Sequence, residues 1–217
     1  MNIGKECNSA CYIWYIEGSQ LKILVDAGAT ASMYEEKGIP ETDLISVEDG
    51  LSRFGLKPTD IDVVIITHLH FDHIALGYLY KNAKFIVQKK EINYARHPHP
   101  VDARYNDSKL FNDLNLEIID GEKEIATGIT VFTTPGHTPG GQSVEISTLR
   151  GKAVIPALCY LDNFEQSEEM KNRGWEVTPP SIHHDSSEAY DSLIKIKNRA
   201  DIILPLHDPI FITKETI

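Results

Sequence analysis

The chain has 217 residues, 41% of them hydrophobic and 24% charged, the balance of a soluble globular protein with one domain or at most two. Its formal net charge of -11, with no long Lys/Arg cluster, argues against a protein whose main task is to grip a phosphate backbone, so no nucleic acid is expected as a partner. No apolar run approaches the roughly 18 residues of a membrane span, and no signal-peptide core follows Met1 to Glu6, which points to the cytoplasm and away from a membrane.

The first predicted elements are strands over Ala10 to Ile16 and Leu21 to Val25, rich in Ile, Tyr, Trp, Leu and Val and joined as a hairpin by Glu17, Gly18 and Ser19. The three cysteines, Cys7, Cys11 and Cys159, cannot all pair and suggest reduced thiols. Cys7 and Cys11 read as small apolar residues of the first strand region, with a thiol pair or soft metal ligands as the alternative. The second run ends in Asp26-Ala27-Gly28, where the acid is either a partner that orients a ligating histidine or the start of an Asx turn. Ser46 to Phe54 carries Val47, Leu51 and Phe54 at helical spacing, with Ser46 as N-cap and Gly55 as stop.

Val63 to Ile66 reads as a buried strand, and directly after it stand Thr67, His68, Leu69, His70, Phe71, Asp72 and His73. Three histidines and an aspartate crowded at a strand end form a metal-site pattern. His68 and His70, alternating on an extended turn, point two imidazoles the same way, and the adjacent Asp72 and His73 aim a carboxylate and a third imidazole at a second point nearby. One loop can thus serve two cations. A helix over Ile74 to Tyr80 would begin at the metal.

Downstream, Lys84 to Gln88 reads as a strand and Lys89 to Arg96 as a short helix, ended by His97-Pro98-His99-Pro100, whose prolines hold both histidines on a solvated loop. Short strands follow over Leu116 to Ile119, Glu124 to Ile125 and Thr130 to Thr133, joined by Asp120-Gly121 and Thr127-Gly128 turns. The last of them runs into a small-residue loop, Thr134 to Gly141, that carries His137. Strands over Ser143 to Ile146 and Ala153 to Ile155 come next, then an irregular segment from Cys159 to Pro180. Within that stretch and just beyond it, Phe164 and Trp175 are candidates to line a mouth, and His183-His184 reads as surface loop. A helix over Ser187 to Lys197 precedes a last strand, Ile202 to Leu206, which ends in His207-Asp208-Pro209. Strands therefore end in histidine at three separate places that a sheet can bring to one edge.

These residues resemble the metallo-β-lactamase fold superfamily. Its His-x-His-x-Asp-His hallmark stands here as His68, His70, Asp72 and His73, preceded by Thr67. The likeness extends to the Asp26-Ala27-Gly28 turn, the Pro135-Gly136-His137-Thr138 loop and His207. Within the superfamily, Asp120 to Gly128, Thr134 to Gln142 and Leu204 to Pro209 look most like the N-acyl-homoserine lactonase branch. The resemblance implies an α/β (α+β) chain folded as a four-layer αβ/βα sandwich, a single domain over residues 1–217.

It also implies a first cation held by His68, His70 and His137 and a second by Asp72, His73 and His207. Zinc is the expected metal, one ion or two, with manganese or iron as alternatives. The bridging aspartate usual in the family would fall after Ala153 to Ile155, where this chain has Ala157 and Leu158. Cys159 is the candidate substitute, through a thiolate that favours zinc, and Asp162 a weaker one. The implied activity is the opening of a lactone or other carboxylic ester by a metal-bound hydroxide. Asp72 would take the water's proton and pass it to the leaving alkoxide, and Tyr160 would contact the lactone oxygens. The expected partner is a small-molecule substrate, and a homodimer is compatible with the sequence. Thioester hydrolysis of the glyoxalase II type and a degenerate binding member without turnover are the alternatives.

Overall fold

The computed structural model describes residues 9–158, 160–165 and 167–212; Cys7 and Cys159 lie outside the described residues. The chain divides into two compact units, one of residues 13–120 and one of residues 9–12 with 121–212. In the first, the elements are β1 (Trp14–Ile16), β2 (Ile23–Val25), α1 (Ala31–Glu35), α2 (Val47–Ser52), β3 (Val63–Ile65), α3 (Phe71–Ile74), β4 (Lys84–Gln88), α4 (Lys89–Arg96) and β5 (Leu116–Ile119).

The five strands form one sheet in the order β1-β2-β3-β4-β5. β1 and β2 make the expected hairpin, antiparallel with Trp14 opposite Val25, and β2 to β5 all run parallel, with Val25 opposite Ile65 and Ile65 opposite Ile86. Parallel strands need cover on both faces, which is why β2 and β3 are apolar throughout and wholly buried. Leu51 of α2, Ile74 of α3 and Ile92 and Ala95 of α4 pack into the same core as Leu24, Val64, Phe85 and Phe111. Each such aliphatic or phenyl side chain removed from water contributes about 1.5–3 kcal/mol before entropy is counted. Four parallel strands also put their carboxyl ends at one edge, where α/β sheets place ligands.

In the second unit the elements are β6 (Lys123–Ala126), β7 (Ile129–Thr133), β8 (Gln142–Thr148), β9 (Gly151–Ile155), α5 (Glu168–Arg173), α6 (Ser186–Arg199) and β10 (Ile202–Ile203). The sheet order is β10-β9-β8-β7-β6. β8 is antiparallel to both β7 and β9, and β10 is parallel to β9, so β7, β9 and β10 share a direction. α6 starts at Asp185, whose carboxylate accepts from the Ser187 and Glu188 amides. It buries Ala189, Leu193 and Ile196 against Phe132, Val154, Ala157 and Leu158. At its other end Arg199 donates to Glu145 at 2.8 Å and, through both terminal nitrogens, to Glu122 at 2.9 Å, while its guanidinium lies 4.1 Å from the Phe132 ring centre.

Several elements differ from the sequence expectation. The strand expected from Ala10 begins only at Trp14, because the amides of Ala10 and Tyr12 donate instead to the carbonyls of His207 and Leu206. The helix expected over Ile74 to Tyr80 starts three residues earlier, as α3, and a 3-10 turn over Gly77–Leu79 follows it. Asp72 in the first turn favours that earlier start by facing the unpaired amides of a helix N-terminus. The last strand stops after Ile203; the Leu204 amide still reaches Val154, but Pro205 has no N–H with which to continue. α5 forms inside the segment expected to be irregular, capped by the Ser167 hydroxyl and closed by Gly174 in the left-handed conformation. Among the described residues no helix is long and apolar enough to cross a membrane.

Candidate metal centre

In the first unit the site grows from the carboxyl ends of β2 and β3. Thr67, His68 and His70 continue from β3 on extended chain, whereas Asp72 and His73 occupy the turn of α3. The imidazoles are brought together: the His68 ring centre lies 4.7 Å from that of His70 and 4.0 Å from that of His73, and all three side chains are buried. Asp26, at the end of β2, organises the group. Its carboxylate is fully buried and accepts three hydrogen bonds, from the Thr67 amide at 2.7 Å, the Thr67 hydroxyl at 2.8 Å and His73 Nδ1 at 2.7 Å. To do so it takes φ +63°, a conformation that Asp tolerates better than most residues. Of the two roles open to Asp26 in the sequence, the structure shows the one that orients a histidine.

In the second unit, His137 follows β7 and His207 follows β10, at the carboxyl ends of strands that share a direction. No single sheet joins all three histidine loops: His68 and His70 follow a strand of one sheet, His137 and His207 strands of the other. The loop that bears His137 is clamped to α6. The Gly136 carbonyl accepts the His184 and Asp185 amides at 2.7 and 3.0 Å, and the Pro135 carbonyl accepts Ser192 Oγ at 2.7 Å. Gly136 has φ +128°, and a Cβ there would meet the Ala189 amide nitrogen at 2.3 Å, so only glycine lets helix and loop come so close. Tyr160 lies beside His207, ring centres 6.5 Å apart, with its hydroxyl 3.0 Å from Ser9 Oγ.

The donors in each unit suit a cation. His73 Nδ1 donates to the Asp26 carboxylate, His137 Nδ1 to the Ile182 carbonyl at 2.8 Å and His207 Nδ1 to the Ala10 carbonyl at 2.8 Å. Thr67 gives its one hydroxyl proton to Asp26, so toward His68 Nδ1, 3.1 Å away, it acts as acceptor. In each of these four rings Nδ1 carries a proton and is held by its acceptor, the arrangement by which proteins orient a histidine toward a metal. Charge agrees with this. Burial opposes a charged His73, but Asp72 and Asp26 outweigh it and push the imidazole up to about 10. Asp72 Oδ2 lies 3.3 Å from His73 Nε2, so that corner of the site favours positive charge.

Two further carboxylate and phenol contacts brace the motif. The Leu69 amide, between His68 and His70, donates at 2.8 Å to Glu91 of α4, a fully buried carboxylate. The Tyr34 hydroxyl of α1 reaches Asp72 Oδ2 at 3.4 Å, and its ring packs edge-on to Phe71, centres 4.9 Å apart. Sequence reasoning missed both residues. A glutamate in a helix rich in charge reads as solvated, and α1 lacks a capping side chain to announce it.

The sequence profile of the metallo-β-lactamase superfamily matches residues 8–207. The chain belongs to that superfamily. An N-acyl homoserine lactonase of a Bacillus species is 32% identical to it over 199 residues, 86% of this chain and 74% of that protein. The N-acyl homoserine lactonase of Bacillus cereus is 30% identical over 194 residues, 82% of this chain and 76% of that protein. A solved N-acyl homoserine lactone hydrolase, with the product N-hexanoyl-L-homoserine bound at its catalytic metal center, aligns with a TM-score of 0.74 at 27% identity, covering 94% of this chain and 84% of that one. The protein therefore has the metallo-β-lactamase fold and is a metallo-hydrolase of that superfamily.

After β9 the chain has no acid at the two positions where the resemblance implied one. Ala157 and Leu158 are buried in the apolar cluster beneath α6, and no carboxylate stands there. Cys159 falls outside the described residues, and Asp162 is exposed in a 3-10 turn. His97 and His99 are exposed on their loop, and His183 and His184 likewise, as the sequence suggested. Phe164 packs against the apolar cluster, and Trp175 sits against Tyr190, ring centres 6.4 Å apart.

Proposed function

We propose that this protein opens a lactone or another carboxylic ester with the help of bound zinc, and that its two units serve a single catalytic domain. The observation that carries it is the shared tethering of His68, His73, His137 and His207 through Nδ1, which orients each ring as a metal-binding histidine is oriented. The lactonase relatives supply the substrate class. His68, His70 and His137 would hold one cation, and Asp72, His73 and His207 a second. A divalent cation held there would supply a water acidified from about 15.7 toward about 7 and a Lewis acid for the ester carbonyl.

The chain's own residues do the rest. Asp72 Oδ2 takes the proton of the attacking water and returns it to the departing alkoxide, which balances the ring opening to a hydroxy acid. Tyr34 flanks that oxygen and holds it in place. The Tyr160 hydroxyl, beside His207, orients the lactone oxygens.

The test is turnover of N-acyl homoserine lactones, simple carboxylic esters and thioesters after loading with zinc, manganese or iron. Metal-dependent opening of a lactone or ester is expected. Turnover of thioesters alone would move the protein to the glyoxalase II type, and no turnover with any metal would make it a binding member of the superfamily.

A further inference from the structure

The second unit sets beside His207 a soft-metal donor, Cys11, to which the superfamily resemblance gives no role. The Cys11 sulfur and a ring nitrogen of His207 lie within 4.8 Å of each other. Zinc binds sulfur at about 2.3 Å and imidazole nitrogen at about 2.0–2.1 Å, so one ion would draw the two donors slightly together to hold both. The pairing is built in. The Ala10 amide donates to the His207 carbonyl at 3.0 Å, the Tyr12 amide to the Leu206 carbonyl at 3.0 Å, and the Tyr12 hydroxyl to the Asp208 carbonyl at 2.8 Å. His207 Nδ1 in turn donates to the Ala10 carbonyl, which fixes the ring. Cys11 thus sits between two residues whose backbones hold the His207 segment, on a half-buried stretch where a thiolate is reachable by an ion and sheltered from bulk solvent.

A charge argument leads to the same pair. At the neighbouring carboxyl end, that of β9, Ala157 and Leu158 bury apolar atoms at the place where the resemblance implied an acid, so neither supplies a negative ligand. A thiolate restores that single charge, because ligation expels the thiol proton to solvent.

We infer that Cys11 is a metal ligand, supplying with His207 a thiolate–imidazole pair that takes the place of the missing carboxylate and selects zinc over harder ions such as manganese. This rests on the metal-binding reading above and adds a ligand to it.

The test is cobalt(II) loading of the full chain, read by absorption. Visible d–d bands report cobalt held by the histidines, and an ultraviolet sulfur-to-cobalt charge-transfer band reports a thiolate ligand. Both are expected in the wild type and in Cys7→Ser and Cys159→Ser. In Cys11→Ser the sulfur band should vanish while the visible bands persist, and affinity for the weaker-bound ion should fall at least about tenfold. Because Cys11→Ser can fail on folding grounds, the wild type is also alkylated with and without zinc and mapped by peptide; zinc should shield Cys11. Visible bands without a sulfur band, a sulfur band that survives Cys11→Ser or is lost only in Cys159→Ser, or alkylation of Cys11 indifferent to zinc would each overturn the inference and leave the histidine site standing. Absence of all cobalt bands would overturn the metal-binding reading along with it.

Discussion

Replacing Asp26 by Asn tests whether the buried carboxylate organises the metal centre. Asn tolerates the left-handed φ of +63° nearly as well as Asp, so the backbone is not disturbed. Three donors converge on the carboxylate, the Thr67 amide, the Thr67 hydroxyl and His73 Nδ1. An amide offers one oxygen and one NH2 group, so it can serve only one side. With its oxygen toward the Thr67 amide, the NH2 group faces the His73 N–H; turned over, it faces the Thr67 N–H. Either way one buried donor loses its acceptor, at about 1–3 kcal/mol. For a chain of this length that is a fall in melting temperature of about 2–4 °C per kcal/mol. His73 can escape only by moving its proton to Nε2, the atom a cation needs, so metal affinity should drop about 10–100-fold. The assay is zinc competition against a chromophoric chelator, paired with thermal melts in excess chelator. Unchanged zinc affinity, with or without a loss of stability, would refute the role given to Asp26.

Other outcomes follow from the same contacts. Gly136→Ala places a methyl group 2.3 Å from the Ala189 amide at φ +128°, and should destabilise the chain by about 3 kcal/mol or more in urea melts. Glu91→Leu strands the buried Leu69 amide and should lower stability by about 1–3 kcal/mol, whereas Glu91→Gln keeps an acceptor and should recover most of it. Arg199 hydrogen-bonds hold Glu122 below its ordinary pKa; at Glu145, burial pulls upward but Arg199 and Lys152 outweigh it. Carboxylates depressed in the folded state stabilise it above the unfolded value of about 4.3 and lose that contribution as pH falls, so Arg199→Met should flatten the acid limb of a stability–pH profile. Leu158→Asp should bury a charge among Phe132, Val177 and Leu193 and lower the melting temperature without raising zinc content.

The fold was legible where local pattern and tertiary setting agree. Lys84–Gln88, Lys89–Arg96 and Leu116–Ile119 occupy the expected ranges, because β-branched runs and helical spacing there meet no competing demand. The Ser46 cap likewise accepts the Asp49 amide as its sequence position suggests. Local pattern could not show that Ala10 to Tyr12 would leave the hairpin for a segment far along the chain. Nor could it show that Asp72 and His73 would be turned by a helix when His68 and His70 are not. In the centre itself the histidines announced themselves by spacing. Glu91 and Tyr34 did not, since a single residue that acts through one distant amide or carboxylate leaves no periodic trace.

The bonding of residues 10–12 to residues 206–207 sets an order of events during synthesis. Ala10 and His207 are 197 positions apart. At about 5–20 residues per second, a ribosome needs roughly 10–40 s to travel from one segment to the other. The unit of residues 13–120 can bury its core in that interval, whereas the amides of Ala10 and Tyr12 must wait in water with an open edge. Chains halted before residue 206 would carry that edge uncovered and should be the ones that chaperones retain.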